Sequence, residues 1–225
     1  MEKHKGLSHM SKGQGHRQGD HVPRGQKIVI SLFDHTGIAL WDWVKRGYEA
    51  HAFDIQNDGR VEKGVKMHHA DLFDADTLSA ILAKYGGRAS FAFAFPPCTD
   101  LSTAGARWWE RKRRQNPNFQ EDAVARIKAV YDIFCQLKCP FVIENPASSR
   151  LSKMWRKWDV SFSPHEYGGY LPSNDVHPIF GTVWPQRDAY TKRTGLWTSE
   201  GLTLPPQKPV EATWAYFVKA RGTDK

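Results

Sequence analysis

Between residues 27 and 146, short apolar stretches alternate with amphipathic ones. Apolar runs that are rich in β-branched and aromatic residues and end at turn residues predict buried strands. These runs are KIVISLF (27–33), EAHAFDI (49–55), KMHHADL (66–72), SFAFAFPP (90–97) and CPFVIENP (139–146). The intervening stretches predict helices within 38–47, 72–87 and 121–138. The last of these helices carries one apolar face, formed by Val124, Ile127, Tyr131 and Phe134.

This alternation of continuous apolar strands with helices predicts an α/β fold with a doubly wound, mostly parallel, Rossmann-like sheet. Residues 26–225 are expected to form a single domain, because their number allows one full-sized core. Ligands of such sheets bind beyond the carboxyl ends of the strands. The residues that follow each predicted strand are therefore the candidates for a site.

Residues 1–25 differ from the rest of the chain because they are rich in Gly, Lys, His and Gln and have almost no apolar residues. This composition predicts a flexible basic tail, either a solvated leader or an arm that follows phosphate groups. The formal net charge of the whole chain is +8, which favours a polyanionic partner without identifying it.

Composition also indicates the cellular compartment and which ligands are not expected. No apolar run approaches the ~18 residues that cross a bilayer, so no membrane partner is expected. Three cysteines do not make a disulfide framework, which favours a reducing, cytoplasmic compartment. Cys135 and Cys139 lack a second pair at zinc-like spacing, and adjacent His68 and His69 face opposite sides of a strand, so no metal is expected. The oligomeric state is left open, with a monomer favoured.

Two residues suited to catalysis follow directly on predicted strands. In FPPCTDLS (95–102), two prolines stiffen the strand exit and present Cys98 at its tip, where a thiol can act as a nucleophile. In VIENP (142–146), Glu144 places a carboxyl group at the end of a core strand, where it can act as an acid. The alternatives are a buried structural role for Cys98 and a capping or ion-pairing role for Glu144.

Acidic residues also end the second and third predicted strands. In nucleotide-binding sheets, an acidic residue about 20 positions beyond the first turn accepts hydrogen bonds from ribose hydroxyls. Asp54 lies 17 positions beyond Gly37 and suits that role, and Asp71 is well placed for an adenine amino group. Either carboxylate can instead cap the helix that follows it.

The segment TAGARWWERKRRQNPN (103–118) combines basic and aromatic side chains just after Cys98. Basic side chains bind phosphates and aromatic rings stack on unpaired bases, so the mixture favours a loop that grips nucleic acid during base flipping. The residues concerned are Arg107, Trp108, Trp109, Arg111, Lys112, Arg113 and Arg114. The alternative is an exposed basic helix with both tryptophans in the core.

The motifs FDHTG, AFDI, HADL, FPPCTDLS and VIENP, in this order, resemble those of the cytosine carbon-5 DNA methyltransferase family. The likeness is closest to the short enzymes of bacteriophages and prophages, whose compartment is the host cytoplasm. It covers residues 27–150 and extends more weakly to KRTGLW (192–197), which resembles an arginine-bearing strand motif of the family. The Pro-Pro-Cys and Glu-Asn motifs are highly specific when they occur together.

The resemblance implies methyl transfer from S-adenosylmethionine to carbon 5 of cytosine in DNA. Cys98 would add to carbon 6 of the ring, Glu144 would protonate or hydrogen-bond ring nitrogen 3, and Arg193 would be the third catalytic residue. The cofactor would contact residues that follow the first four predicted strands. These are Phe33, Gly37, Asp54, Ile55, Asp71, Leu72 and Pro96.

The chain departs from the family pattern in four features. His35 stands where the family has a first-turn glycine, and Pro146 replaces valine after Glu-Asn. Histidine tolerates left-handed backbone better than most residues, so the turn can survive the replacement. No separate target-recognition domain is expected after KRTGLW, and the family's C-terminal motif is not recognisable. The aromatic stretch YGGYLPSNDVHPIFGTVWPQRDAY (167–190) predicts an ordered inserted loop over the cytosine pocket.

Two alternatives to DNA methylation stay open. One is the same chemistry on RNA or on a free cytosine nucleotide, which a missing recognition domain favours, although the basic segment argues against the free nucleotide. The other is a non-catalytic nucleic-acid-binding protein on a methyltransferase scaffold, against which stands the presence of both Cys98 and Glu144. A zinc-dependent cytosine deaminase is excluded, since Cys98 does not belong to a Pro-Cys-x-x-Cys motif.

Overall fold

The computed structural model describes residues 27–181 and 183–213, so the predicted tail at residues 1–25 lies outside the described residues. The strands are β1 (Ile28–Leu32), β2 (Glu49–Asp54), β3 (Val61–Glu62), β4 (Val65–His69), β5 (Ala89–Ala94), β6 (Phe141–Pro146), β7 (Val160–Phe162) and β8 (Thr194–Thr198). The α-helices are α1 (Trp41–Lys45), α2 (Ala75–Tyr85), α3 (Trp109–Gln115), α4 (Phe119–Leu137) and α5 (Leu151–Met154).

These strands form one sheet in the order β3-β4-β2-β1-β5-β6-β8-β7. Its centre, from β4 through β2, β1 and β5 to β6, is parallel. β3 runs antiparallel to β4, and β8 runs antiparallel to both β6 and β7. The predicted α/β fold with a mostly parallel sheet is therefore confirmed, and the architecture is compatible with a Rossmann-like fold. The strand order reverses between β1 and β5, which opens a crevice at their carboxyl ends.

Apolar side chains are buried on both faces of the sheet. On one face, Ile30 and Leu32 pack with the apolar sides of α2 and α4. On the other face, Val29 packs with Val65 and Met67 beneath α1. Because successive residues of a strand point to opposite faces, a strand buried on both faces gives the continuous apolar run seen in the sequence.

Several elements differ from their predicted extents. The helix predicted within 38–47 is a 3₁₀ turn at Ile38–Leu40 followed by the five-residue α1. The strand predicted at 66–72 ends at His69, and KRTGLW forms the predicted strand as β8. The edge strands β3 and β7 have only two and three residues, too few to leave a periodic pattern in the sequence. Within the described part of the chain, no helix is both long and apolar enough to span a bilayer.

His51 joins β2 to β4 and α2 through hydrogen bonds. Its Nδ1 lies 2.8 Å from Nε2 of His68 and 3.1 Å from the hydroxyl of Tyr85, and its Nε2 lies 3.1 Å from Oε1 of Glu49. Burial, and then the charge of His68, lower the pKa of His51 to about 4. Burial and nearby lysines also lower the pKa of His68. The folded protein therefore favours a neutral imidazole at both positions.

We expect the protein to lose stability as the pH falls from about 6.5 to about 4, because His51 is protonated in the unfolded chain before it is protonated in the folded one. The thermal unfolding midpoint, followed by circular dichroism, should fall over this range. In His51→Asn the midpoint should be lower at neutral pH, and its fall with pH should be shallower. His69→Asn is the matched control, since His69 is exposed on the same strand as His68. If the unfolding midpoint of His51→Asn falls with pH as steeply as that of the wild type, the assignment of this pH dependence to His51 is wrong.

Candidate active site

The turn after β1 is organised by the buried carboxylate of Asp34. This carboxylate accepts hydrogen bonds from the Ser31 hydroxyl at 2.9 Å and from the backbone N–H of Gly37 at 2.7 Å. Phe33 and Gly37 have left-handed backbone, with φ of 56° and 67°. His35 itself lies outside that region, so the turn forms without a left-handed histidine. Only Phe33 is a bulky residue held in this sparsely populated conformation within the turn, which is typical of sites under a functional constraint.

Gly37 packs this turn against the sheet. A Cβ atom at Gly37 would lie 3.2 Å from Sδ of Met67 and 3.3 Å from Cγ1 of Val65. Both neighbours belong to the core beneath α1. Gly37 therefore contacts the core and does not line the cleft described next.

A cleft with a volume of about 190 Å³ crosses the carboxyl ends of β4, β2, β1 and β5. Its lining brings together five of the seven residues predicted to bind a cofactor. The lining residues are Phe33, Asp54, Ile55, Gln56, Ala70, Asp71, Leu72, Phe73, Phe95 and Pro97. Pro96, which was predicted instead of its neighbours Phe95 and Pro97, is buried behind them. The cleft lies where the reversal of strand order places a ligand crevice.

The cleft combines two carboxylates with exposed apolar side chains. Oδ1 of Asp54 accepts from the backbone N–H of Gln56 at 2.8 Å, and Oδ1 of Asp71 accepts from that of Phe73 at 3.0 Å. Within the described residues, Oδ2 of each carboxylate accepts no hydrogen bond. Ile55 is 57% exposed and Phe73 is 44% exposed. Such a site can hold a flat ring between apolar groups while its carboxylates accept hydrogen bonds from hydroxyl or amino groups.

The loop after β5 holds Cys98 half-buried next to this cleft. The carbonyl oxygen of Cys98 accepts from the backbone N–H groups of Leu101 at 3.0 Å and Ser102 at 2.8 Å. The chain then turns back so closely that a Cβ atom at Gly105 would lie 1.8 Å from the carbonyl oxygen of Thr99. Only glycine fits there. The thiol therefore lies at the start of a tightly wound turn.

This turn is also anchored from three neighbouring elements. The indole N–H of Trp109, at the start of α3, donates to the carbonyl oxygen of Thr99 at 3.1 Å. The side-chain amide of Gln120, on α4, donates to that of Asp100 at 2.7 Å. The backbone N–H of Arg150, next to α5, donates to that of Leu101 at 2.7 Å. These bonds hold the backbone that follows Cys98 in one conformation.

Glu144 is on β6, the strand that neighbours β5. The adjacent Asn145 is fully buried, and its side-chain amide donates to the carbonyl oxygen of Pro96 at 3.3 Å. β5 and β6 are parallel, with Ala94 opposite Ile143. The Pro-Pro-Cys and Glu-Asn motifs therefore meet at the same edge of the sheet and are joined by a buried hydrogen bond. The side chain of Glu144 is 21% exposed.

The cation beside Glu144 is Lys192, whereas the sequence motif predicts Arg193 as the third catalytic residue. Its Nζ lies 3.5 Å from Oε1 of Glu144. Arg193, the predicted third catalytic residue, instead donates from Nη1 to Oε1 of Glu166 at 3.3 Å. Consecutive residues of extended chain point in opposite directions, so only one of the two can face Glu144. The register of β8 against β6, which pairs Thr194 with Pro146, places Lys192 there.

Glu144 also borders an apolar groove with a volume of about 420 Å³. Three phenylalanines of β5 and its exit line one side, and residues after β8 line the other. The lining residues are Phe91, Phe93, Phe95, Val142, Glu144, Phe162, Tyr167, Leu196, Leu202, Thr203, Leu204 and Pro205. Phe95 lines both the groove and the cleft, so the two cavities share a wall.

The basic segment is helical, with a 3₁₀ turn at Thr103–Trp108 followed by α3. The predicted loop is therefore wrong as to local structure. The alternative of an exposed basic helix is confirmed by α3, but its placement of both tryptophans in the core is wrong, because Trp108 is 47% exposed and Trp109 is only partly buried. The guanidinium group of Arg107 lies 5.1 Å from the ring centre of Trp108, so one cation and one ring are presented together.

The cations of this segment are not equivalent. Lys112 forms an ion pair with Asp100, and Arg114 forms one with Glu110 at 2.7 Å. Arg113 lies over the ring of Phe119 at 6.0 Å. Arg107 and Arg111 have no carboxylate partner within the described residues, and both are exposed. Sequence composition cannot separate these groups, because their partners depend on how α3 packs.

This difference separates two cations without a carboxylate partner in the described part of the chain, Arg107 and Arg111, from two that are paired with carboxylates, Lys112 and Arg114. We expect Arg107→Gln with Arg111→Gln to weaken DNA binding and to reduce the slope of log K against log salt by about 2, since each phosphate contact contributes about 0.9. The matched double variant Lys112→Gln with Arg114→Gln should change the slope less, because those cations are already paired. Fluorescence anisotropy with a labelled duplex at several salt concentrations measures both. Equal slopes for the two double variants would show that the unpaired and the carboxylate-paired cations contribute equally to DNA binding, contrary to this prediction.

No protein-family model matches the chain, and a comparison with curated proteins finds no match either. Within residues 27–181 and 183–213, no three or more His, Cys, Asp or Glu side chains are grouped so as to hold a metal ion.

Proposed function

We propose that this protein is an S-adenosylmethionine-dependent methyltransferase that modifies carbon 5 of cytosine in DNA, with Cys98 as nucleophile and Glu144 as acid. The observation that carries the proposal is the hydrogen bond from Asn145 to Pro96. It joins the loop that bears Cys98 to the strand that bears Glu144, beside the cleft of Asp54 and Asp71. A nucleophile, an acid and a cleft whose residues suit a nucleoside then lie at one edge of the sheet.

The residues of the cleft fit S-adenosylmethionine in their chemistry. Asp54 and Asp71 offer acceptors for ribose hydroxyls and an adenine amino group, and Ile55 and Phe73 offer apolar surface for the ring. The ring of Phe73 lies 5.4 Å from that of Phe33 and 4.6 Å from the guanidinium group of Arg126, which fixes its place. When bound, S-adenosylmethionine would supply an electrophilic methyl group attached to its sulfonium sulfur.

The residues of this chain supply the activation of cytosine. The Cys98 sulfur, with its proton lost to solvent, forms a bond to carbon 6. The electron pair of the carbon 5–carbon 6 double bond moves to the carbon 4–carbon 5 bond, and Glu144 gives its proton to nitrogen 3. Carbon 5 then has the electron density needed to accept a methyl group. Once carbon 5 carries the methyl group, nitrogen 3 returns its proton to Glu144 and the carbon 5 proton is lost to water. The electron pair left by that proton re-forms the carbon 5–carbon 6 double bond, and the bond from carbon 6 to the Cys98 sulfur breaks with the sulfur keeping the bonding pair.

Lys192 has a place in this cycle through its ion pair with Glu144. A cation 3.5 Å from a carboxylate stabilises the ionised form that Glu144 adopts after it has given up its proton. Lys192 is half-exposed, so its charge is partly screened by solvent. We therefore assign it a positioning role beside Glu144.

The choice of DNA as substrate is supported by the basic and aromatic surface just after Cys98. Arg107 and Arg111 are exposed without carboxylate partners within the described residues, and Trp108 is half-exposed beside Arg107. Phosphate contacts and base stacking together suit a substrate from which the target base is withdrawn.

The proposal is tested by transfer of labelled methyl from S-adenosylmethionine to duplex DNA, single-stranded DNA, RNA and dCTP in parallel. We expect label in DNA, recovered after digestion as 5-methylcytosine. Label only in RNA or dCTP would keep the chemistry and overturn the substrate. No transfer to any of the four, despite cofactor binding, would overturn the enzymatic proposal in favour of a binding protein.

A further inference from the structure

The middle of the loop 167–190 forms a compact apolar turn that the proposed chemistry does not use. We call residues 176–181 the finger. A β-bridge and a hydrogen bond of 2.9 Å between His177 and Gly181 close its turn. The ring nitrogen Nδ1 of His177 accepts from the backbone N–H groups of Ile179 and Phe180 at 3.2 and 3.1 Å. The turn is therefore held in one conformation by its own side chain.

The finger presents apolar side chains to solvent. Val176, Ile179 and Phe180 are 47%, 48% and 50% exposed, although large apolar side chains are among those most often buried. Exposed apolar surface of this kind commonly marks an interaction site. The area of one turn is small, however, whereas a stable protein–protein interface needs about 800 Å² from each partner. A single apolar turn suits insertion between bases better than the docking of a protein partner.

A series of ring contacts runs from the finger to Tyr190, at the end of the loop. The ring of Phe180 lies 5.0 Å from that of His177, which lies 5.6 Å from that of Trp184, and Trp184 lies 4.6 Å from Tyr190. Tyr190 lies two residues before Lys192, whose Nζ lies 3.5 Å from Oε1 of Glu144. Aromatic contacts favour defined geometries, so this series fixes the position of the finger relative to Tyr190.

We propose that the finger is a DNA wedge, in which Ile179 and Phe180 enter the base stack of a duplex at the place from which the target base is withdrawn. This inference rests on the proposed function, which requires the base to leave the duplex. Apolar side chains that enter a base step in this way lower the cost of unstacking by filling the space. The net charge of +8 supplies the long-range attraction to DNA that the finger itself lacks.

The test compares binding to an intact duplex with binding to the same duplex carrying one abasic site, measured by fluorescence anisotropy. A wedge favours the abasic duplex, because no base has to be displaced there. We expect a preference of at least about 10-fold in the wild type and its loss in Ile179→Ser with Phe180→Ser. The matched control is Val61→Ser, which removes an exposed apolar side chain from β3 at the far edge of the sheet.

The outcomes separate this inference from the proposed function, because the readout is binding and not methyl transfer. An abasic preference that the finger variant loses would support the wedge even if no methylation were found. A preference that the finger variant retains, or no preference in the wild type, would overturn the wedge and leave the catalytic proposal standing. Self-association of the wild type that the finger variant abolishes, with binding to both duplexes unchanged, would identify the finger as a contact between copies of the chain and overturn the wedge.

Discussion

Cys98→Ser is expected to reduce methyl transfer to DNA at least about 10³-fold, because a hydroxyl in place of the thiol is a far poorer nucleophile toward carbon 6 of cytosine. The substitution removes only the reacting sulfur. The hydrogen bonds that hold the loop are made by the backbone of Cys98 and by Pro96, and serine retains them. Binding of S-adenosylmethionine, measured by isothermal titration calorimetry, should stay within a few-fold of the wild type.

The other two cysteines provide the controls for this prediction. Cys135 is exposed on α4, and Cys139 is half-buried just before β6. Burial raises the pKa of the Cys139 thiol to about 11, so this thiol is protonated and unreactive at neutral pH. Cys135→Ser and Cys139→Ser should therefore retain methyl transfer. Full activity in Cys98→Ser would remove this residue from the mechanism.

Glu144→Gln is expected to lower kcat by about 10²- to 10⁴-fold, the range typical of the loss of a general acid. Glutamine keeps the volume of the side chain and a hydrogen-bond donor, but it has no proton to transfer to nitrogen 3. The loss should appear in kcat with little change in the affinity for S-adenosylmethionine, because Glu144 does not line the cleft of Asp54 and Asp71. Steady-state kinetics with saturating cofactor measure the change.

Glu166→Gln is the matched control, because Glu166 pairs with Arg193 just as Glu144 pairs with Lys192. Glu166 also accepts from the backbone N–H of Ser163 at 2.8 Å, a bond that glutamine can keep through its carbonyl oxygen. Loss of activity in Glu166→Gln but not in Glu144→Gln would show that the acid is Glu166 and that its assignment to Glu144 is wrong. Similar losses in both would point to a general effect of charge at this edge of the sheet.

The sheet was predictable because its central strands are buried on both faces. Strands such as β1, whose side chains pack alternately with α2 and α4 and beneath α1, leave continuous apolar runs that a sequence displays directly. The same runs mark the carboxyl ends of the strands. Asp54, Asp71, Cys98 and Glu144 were consequently placed near one edge by their position in the last residues of a run or just after it, without knowledge of any contact.

Features that depend on register and packing could not be predicted. The choice between Lys192 and Arg193 depends on the pairing of β8 with β6, which joins residues about fifty positions apart in sequence. The ion pair of Lys112 with Asp100 depends on the packing of α3, so composition made all the cations look alike. The exposure of Ile179 and Phe180 follows from the turn that His177 closes, and aromatic composition indicates only that such a loop is ordered.

The central claim is a covalent bond between Cys98 and carbon 6 of cytosine. It is tested by incubating the protein and S-adenosylmethionine with a duplex in which cytosines are replaced by 5-fluorocytosine, since fluorine at carbon 5 cannot leave as the proton does and the adduct is trapped. Intact-protein mass spectrometry should show one DNA strand attached, peptide mapping should locate it at Cys98, and Cys98→Ser should form no adduct. An adduct at Cys135 or Cys139, or methyl transfer to ordinary cytosine with no adduct on the fluorinated duplex, would contradict the mechanism.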